Sequence, residues 1–308
     1  MGNTISCLCP NDMMHKISMR HRARREWKSL EADKPLDDML NEKTEKTFTV
    51  LVTGMGAFPR NPGSDDGRFS EDDNCSHAIT KLLPSYLPPF SKHNPTSFNI
   101  RILNPTCGAG QAVKTEYGYV RTYCQRLWKE YGNSADLIVH LGLADGWEWY
   151  TVERSAWKEG TVKSVDGVPG GRKGEYYMMP DDIGQTIKDL PASSPSFMKL
   201  PEQLFAGPGI DVDGLARNVQ QTLNSHNRGK DQDQIEVRPH PDAGNYLCGF
   251  ISYESFAQAV VNGYSARAIF CHVPGWRDKR RLYIGRDFVC TLVGEIAAQK
   301  RSSAVDSI

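Results

Sequence analysis

The chain has 308 residues, 39% of them hydrophobic and 9% aromatic, and its 37 basic and 37 acidic side chains cancel to a formal net charge of zero. That is enough apolar material for one large core or two modest ones, and the balance excludes a disordered chain and a generally basic surface that would grip nucleic acid. No apolar run approaches the roughly 20 residues that span a bilayer, no secretory signal opens the chain, and the eight cysteines, without CxxC pairs, read as reduced thiols of a cytoplasmic protein.

Residues 1–46 read as an extension outside the fold, in part disordered. Lys16, Arg20, Arg22, Arg24, Arg25 and Lys28 form a basic run opposed only by Glu26, and an acidic stretch follows. Met1-Gly2-Asn3-Thr4-Ile5-Ser6 fits the M-G-x-x-x-[ST] pattern for myristoylation of Gly2. Cys7 and Cys9 follow where a second acyl chain would attach. One myristoyl chain binds membranes marginally, whereas a second chain or a basic patch makes the attachment durable. The alternative is a chance Gly and Ser ahead of a solvated basic arm. The lipidated reading places the domain at the cytosolic face of a membrane.

From Thr47 the pattern changes. Thr47–Thr53 (TFTVLVT) is a β-branched apolar run that suits a buried strand, followed by a helix at Asn74–Leu83 and a strand at Phe98–Leu103. Val113–Tyr131 has helical spacing, and Asp136–Leu141 (DLIVHL) is a second buried strand that Gly142 is expected to end. A helix at Val212–Leu223, a strand at Gln234–Arg238, a helix at Asn245–Asn262, a strand at Ala266–Val273 and a helix at Arg286–Lys300 complete the series. Strands alternating with helices predict an α/β fold: a single-domain α/β/α sandwich over residues 47–302 with a mostly parallel central sheet, and a short tail at 303–308. Lys158–Gly209, rich in Gly, Pro, Lys and Ser and without a period, reads as an insertion, either a plain surface segment or a flap over a pocket.

Gly54-Met55-Gly56-Ala57-Phe58-Pro59 after a strand invites a dinucleotide reading, but Pro59 stands at the third glycine. No Walker, HExxH, GxSxG or zinc spacing occurs, so no metal and no cofactor is expected. A cysteine, a histidine and a carboxylate remain, each at a sheet edge. Cys248 falls just inside a helix start, where partly positive amides favour thiolate over thiol. His272 falls at the C-terminal end of the next strand, the edge where open α/β sheets bind ligands, and Glu153 follows a third strand. Together they make a nucleophile, a base and an orienting carboxylate. Separately, each has a bland alternative: an inert core thiol, a satisfied polar group and a surface ion pair.

These segments resemble pyroglutamyl peptidase I, a cysteine peptidase family. VLVTGMGAF resembles the family's opening strand and T-G-F-x-x-F turn, GLADGWEWYTVER its glutamate segment, PDAGNYLCGFISY its D-A-G-x-Y-L-C segment, and IFCHVP its histidine strand. The order Glu, Cys, His agrees, and the similarity runs from about Phe48 to Ala298; with its N-terminal extension the chain looks like a eukaryotic, fungal-type member. The resemblance implies hydrolysis of the bond after an N-terminal pyroglutamyl residue by Cys248, His272 and Glu153, without metal or cofactor. It implies substrate contacts at Met55, Phe58, Leu143 and Leu247, and peptides with N-terminal pyroglutamate as partners. Met55 stands where a phenylalanine is usual, Leu143 where bacterial members carry glutamine, and His240 where a serine is common. Those departures leave room for an altered N-terminal residue preference, or for a membrane-tethered relative that binds modified N-termini without turnover.

Overall fold

The computed structural model describes residues 47–60, 67–105, 112–164, 173–226, 234–264 and 266–305; Gly2, Cys7, Cys9 and the rest of the predicted extension lie outside the described residues. In chain order the elements are β1 (Thr47–Gly54), β2 (Phe58–Pro59), β3 (Arg68–Phe69), α1 (Cys75–Thr80), β4 (Tyr86–Leu87), β5 (Asn99–Leu103), α2 (Tyr117–Tyr131) and β6 (Leu137–Ala144). The chain continues with β7 (Tyr150–Glu153), β8 (Ser155–Trp157), β9 (Val162–Ser164), β10 (Lys173–Glu175), a 3-10 turn (Ile187–Asp189), α3 (Pro195–Met198) and β11 (Gln203–Phe205). It closes with α4 (Val212–His226), β12 (Val237–His240), α5 (Leu247–Asn262), β13 (Arg267–Pro274) and α6 (Lys279–Val305).

The fold is α/β. The central sheet has the order β13-β6-β1-β5-β4, its first four strands parallel and only β4 antiparallel. β1, β6 and β13 are buried almost throughout, as parallel strands covered on both faces must be. Alternation divides their side chains. Val50, Val52, Val139, Leu141, Ile269 and Cys271 join a core with Leu215 and Val219 of α4 and Val289 and Val293 of α6. The opposite face meets α2 and α5, where His140 accepts and donates between Thr53 Oγ1 (2.7 Å) and Ser255 Oγ (2.8 Å), and Trp128 Nε1 donates to the same Ser255. Beside β13, β7 and β12 pair in parallel, with His240 in register with Glu153.

Several boundaries differ from the sequence reading for local reasons. Gly142 does not end β6, which runs on to Ala144 in register with β13 up to Pro274. The helix predicted from Val113 starts at Tyr117, because Val113 pairs with Met55 as an isolated bridge. The last helix starts seven residues early, at Lys279, where the Asp278 carboxylate accepts from Arg281 N (3.0 Å) and caps it. The strand expected at Gln234–Arg238 lies at Val237–His240, which moves His240 from a loop into the sheet.

Lys158–Gly209 is not a bare loop. It contributes β9, β10, α3 and β11, and β11 pairs antiparallel with β8. It buries Tyr177, Ile187 and Phe197. Tyr117 at the head of α2 donates its hydroxyl to Met179 O (3.1 Å) and its amide to Asp181 (2.8 Å), which binds the segment to the helical layer. No helix among the described residues is long and apolar enough to cross a membrane.

Candidate active site

The parallel strands deliver their C-terminal ends to one edge. Register sets Gly54 beside Leu141 and Leu141 beside Cys271, so Gly142 and His272 are neighbours one step further on. By alternation Gly142 and His272 lie on the face toward α5. Cys248 is the second residue of α5, whose N-cap Tyr246 offers no side-chain hydrogen bond to the first turn. Those first amides are left to meet water or a ligand. The sulfur comes so near the sheet that a Cβ on Gly142 would lie 2.8 Å from Cys248 Sγ and 2.6 Å from Phe270 Cζ. Gly249 is needed for a related reason: a Cβ there would lie 1.9 Å from Gly244 O, in the turn that feeds the helix.

The structure brings Glu153, His272 and Cys248 together. Glu153, fully buried, holds His272 Nδ1 at 2.8 Å through Oε1. The Thr151 hydroxyl donates to the same oxygen and also accepts from His272 N (3.3 Å). The Cys248 sulfur sits against Gly142, the residue of β6 in register with His272. With Nδ1 taken by the carboxylate, Nε2 is the nitrogen left for sulfur. Burial alone would push the His272 imidazole down. The Cys248 sulfur, by charge and hydrogen bond, and then Glu153 outweigh burial and bring it up to about 10. For Glu153 burial pushes upward, and the hydrogen bonds with His240 and His272 overcome it and hold the carboxyl below its ordinary range. Such a line of nucleophile, imidazole and buried carboxylate is competent for acyl transfer.

Glu153 has a second imidazole that sequence reasoning did not connect to it. Its Oε2 meets His240 Nδ1 at 2.7 Å, and the same nitrogen lies 2.8 Å from Asp242 O. Trp147 packs against both rings, 5.3 Å from His240 and 5.6 Å from His272 between centroids. Little local signal could have found this link: β7 and β12 have four residues each and exist by pairing with one another, which sets His240 beside Glu153.

Of the expected substrate contacts, Met55 extends β1 past Gly54 and is buried, its amide donating to Ser76 Oγ (3.1 Å). Phe58 is half-buried and stacks on Phe69 at 4.8 Å. Leu143 is buried and belongs to the core cluster on the face of β6 away from the sulfur, and Leu247 is buried at the first position of α5. Among the described residues no cluster of three or more His, Cys, Asp or Glu side chains is arranged to hold a metal ion.

No family model matches the chain. It is 26% identical over 208 residues, 63% of this chain and 80% of the relative, to the pyrrolidone-carboxylate peptidase of Pyrococcus furiosus. A crystal structure of the pyrrolidone carboxyl peptidase of P. furiosus superposes with a TM-score of 0.52 at 18% identity, covering 82% of this chain and 99% of that one. The Thermococcus litoralis pyrrolidone carboxyl peptidase gives a TM-score of 0.51 at 18% identity, covering 82% of this chain and 96% of that one. At such identity the superpositions establish a shared α/β fold.

Proposed function

We propose that the chain is a cysteine-type omega peptidase of the pyroglutamyl (pyrrolidone-carboxylate) peptidase family, hydrolysing the amide bond that follows an N-terminal pyroglutamyl residue. The observation that carries this reading is the buried Glu153 carboxylate on His272 Nδ1 with Cys248 Sγ set against Gly142, the register neighbour of His272, on a fold shared with pyrrolidone carboxyl peptidases. The N-terminal extension is the reason to read it as a eukaryotic, fungal-type member.

In this reading the thiol proton passes first to His272 Nε2, and the Cys248 thiolate then attacks the pyroglutamyl carbonyl carbon. The oxyanion faces the first-turn amides of α5, with the Cys248 N–H as the natural donor. As the C–N bond breaks, His272 returns the proton to the leaving amine, and a thioester remains. Water then attacks the thioester, giving its proton to His272; the C–S bond breaks and the thiol is restored with release of pyroglutamate. Glu153 keeps the imidazole in the tautomer that presents Nε2 to sulfur. Met55 and Phe58, beyond the end of β1, are the residues assigned to the lactam ring. Leu143 and Leu247 enter only as apolar packing beside that edge.

Release of a fluorescent amine from a pyroglutamyl-amide, wild type beside Cys248→Ala, tests the reading. Turnover that disappears in the variant is expected. Folded, reduced protein without turnover, yet labelled quickly at Cys248 by iodoacetamide, would move the preference to another N-terminal residue, with Met55 as the first cause to examine. Ordinary thiol reactivity would favour a non-catalytic binder.

The same proposal includes a lipid tether at the cytosolic face of a membrane, through Gly2 with Cys7 and Cys9 and supported by the basic run Lys16–Lys28. In cells the parent is expected in the membrane fraction and Gly2→Ala in the soluble one. Equal partition of the two would remove the myristoyl anchor.

A further inference from the structure

Glu153 is fully buried, and each of its oxygens serves a different histidine through Nδ1: Oε1 at 2.8 Å from His272 and Oε2 at 2.7 Å from His240. The arrangement is built rather than incidental. β12 and β7 pair in register at His240 and Glu153, and Arg154 N donates to His240 O at 2.9 Å. Trp147 covers both imidazoles. The two rings differ in their access to water: the His272 side chain is 10% exposed and the His240 side chain 28%.

We propose that His240 is a positioning residue which, by gaining and losing a proton on the far side of Glu153, sets how firmly that carboxylate holds the His272 imidazolium and so tunes the reactivity of Cys248 with pH. The proposal rests on the reading of Cys248, His272 and Glu153 as the working set, and not on the identity of the substrate. The sign follows from the order of the charges. Moving a proton from Cys248 to His272 places a positive charge next to Glu153 and a negative charge one group further away. A charged His240 behind Glu153 is nearer to His272 than to the sulfur, so it opposes the transfer; a neutral His240 leaves the carboxylate's full charge to His272. Protons on two such coupled groups leave in macroscopic steps that belong to the pair.

Of the charged groups near His240, those on its own strand, in the following turn and on β7 are engaged elsewhere, while Asp145 and Glu148 flank the Trp147 that covers its ring. On its own strand Arg238 pairs with Glu236 and lies over the Trp149 ring. From the following turn, Asp242 accepts from Gly244 N and Trp157 Nε1 through its carboxylate and offers His240 only its backbone oxygen. Arg154, next to Glu153 on the β7 side, is paired with Asp213 of α4. From β13 the facing group is His272 itself. The hydrogen bond to Glu153 raises the His240 imidazole above its ordinary range, against burial.

The test is the pH dependence of iodoacetamide labelling at Cys248 in the full chain, read peptide by peptide by mass spectrometry, for wild type, His240→Gln and His240→Ser. Glutamine keeps a donor for Glu153 without a charge; serine is the second variant should glutamine disturb the fold. Wild-type labelling is expected to rise with pH through a step that both variants lack. Near pH 6 the glutamine variant, normalised to its alkaline plateau, is expected to label on the order of fivefold faster than wild type. Normalised profiles that coincide would overturn the proposal, as would a uniform slowing of the folded variants at every pH, which would mean a purely structural role. A shifted labelling profile in a chain that does not cleave a pyroglutamyl-amide would leave His240 in place and overturn only the substrate.

Discussion

At the scale of single residues, the site depends on an atom that is missing. Gly142 leaves the space that Cys248 Sγ occupies, since a methyl there would lie 2.8 Å from the sulfur and 2.6 Å from the Phe270 ring. Neither neighbour can retreat easily: the sulfur is fixed by the first turn of α5, and Phe270 is fully buried in β13. Gly142→Ala is therefore expected to push the sulfur off the His272 imidazole. A displacement near 1 Å costs about 100-fold in a reaction that needs alignment, while overpacking costs about 1–3 kcal/mol of stability. Rates of pyroglutamyl-amide hydrolysis and of Cys248 labelling should both fall by roughly that factor. Activity within a few-fold of wild type would mean that the sulfur works from another position.

At the scale of elements, what was legible and what was not follows from where each element gets its identity. β1, β6 and β13 were readable because each is a largely apolar run, which is the local signature of a strand covered on both faces, and β5 (NIRIL) because its apolar residues alternate with polar ones. The nucleophile helix was readable too, so Cys248 could be assigned to its first turn from HPDAGNYLCGF alone. β7 was not, and β12 was expected slightly too early in the chain. Each has only four residues, and each exists as a strand because segments far apart in the chain pair, Val237 with Tyr150 through to His240 with Glu153. Short pairings of this kind leave no period to detect. That is why Glu153 was located only as following a strand, and why His240 stood out as an unusual residue without its role being visible. The same limit applies in Lys158–Gly209, where β11 is defined by pairing with β8 and the turns are held by side chains such as Asp181, which accepts from Ile183 N, Gln185 N and Tyr117 N.

At the scale of the whole molecule, two buried groups pull stability in opposite directions as pH falls. Burial in the core pushes the His140 imidazole from 6.5 down to about 3. Below pH 6.5 the unfolded chain takes a proton there and the folded chain does not, so this group's contribution is complete above 6.5 and is lost progressively toward pH 3. Glu254 on α5 behaves oppositely. Burial raises its carboxyl from 4.5 to about 7, only partly offset by Arg121, whose Nε lies 2.9 Å away. The folded chain holds that proton before the unfolded one does, so stability improves as pH drops from 7 to 4.5. In the window from 6.5 to 4.5 these two slopes, each about 1.4 kcal/mol per pH unit, nearly cancel; below 4.5 the His140 slope continues alone among the two. Urea unfolding at a series of pH values should separate them. His140→Gln keeps a hydrogen-bonding side chain between Thr53 and Ser255 and is expected to be about 1–3 kcal/mol less stable than wild type at pH 7. That deficit should shrink as the pH is lowered below 6.5, by about 1.4 kcal/mol per unit, because the variant no longer has a proton to refuse. Contributions from Glu153 and the other carboxylates are common to both proteins and drop out of the difference. A deficit that stays constant from pH 7 to pH 4 would mean that His140 accepts a proton in the folded core, and that the chain from Thr53 to Ser255 does not hold it neutral.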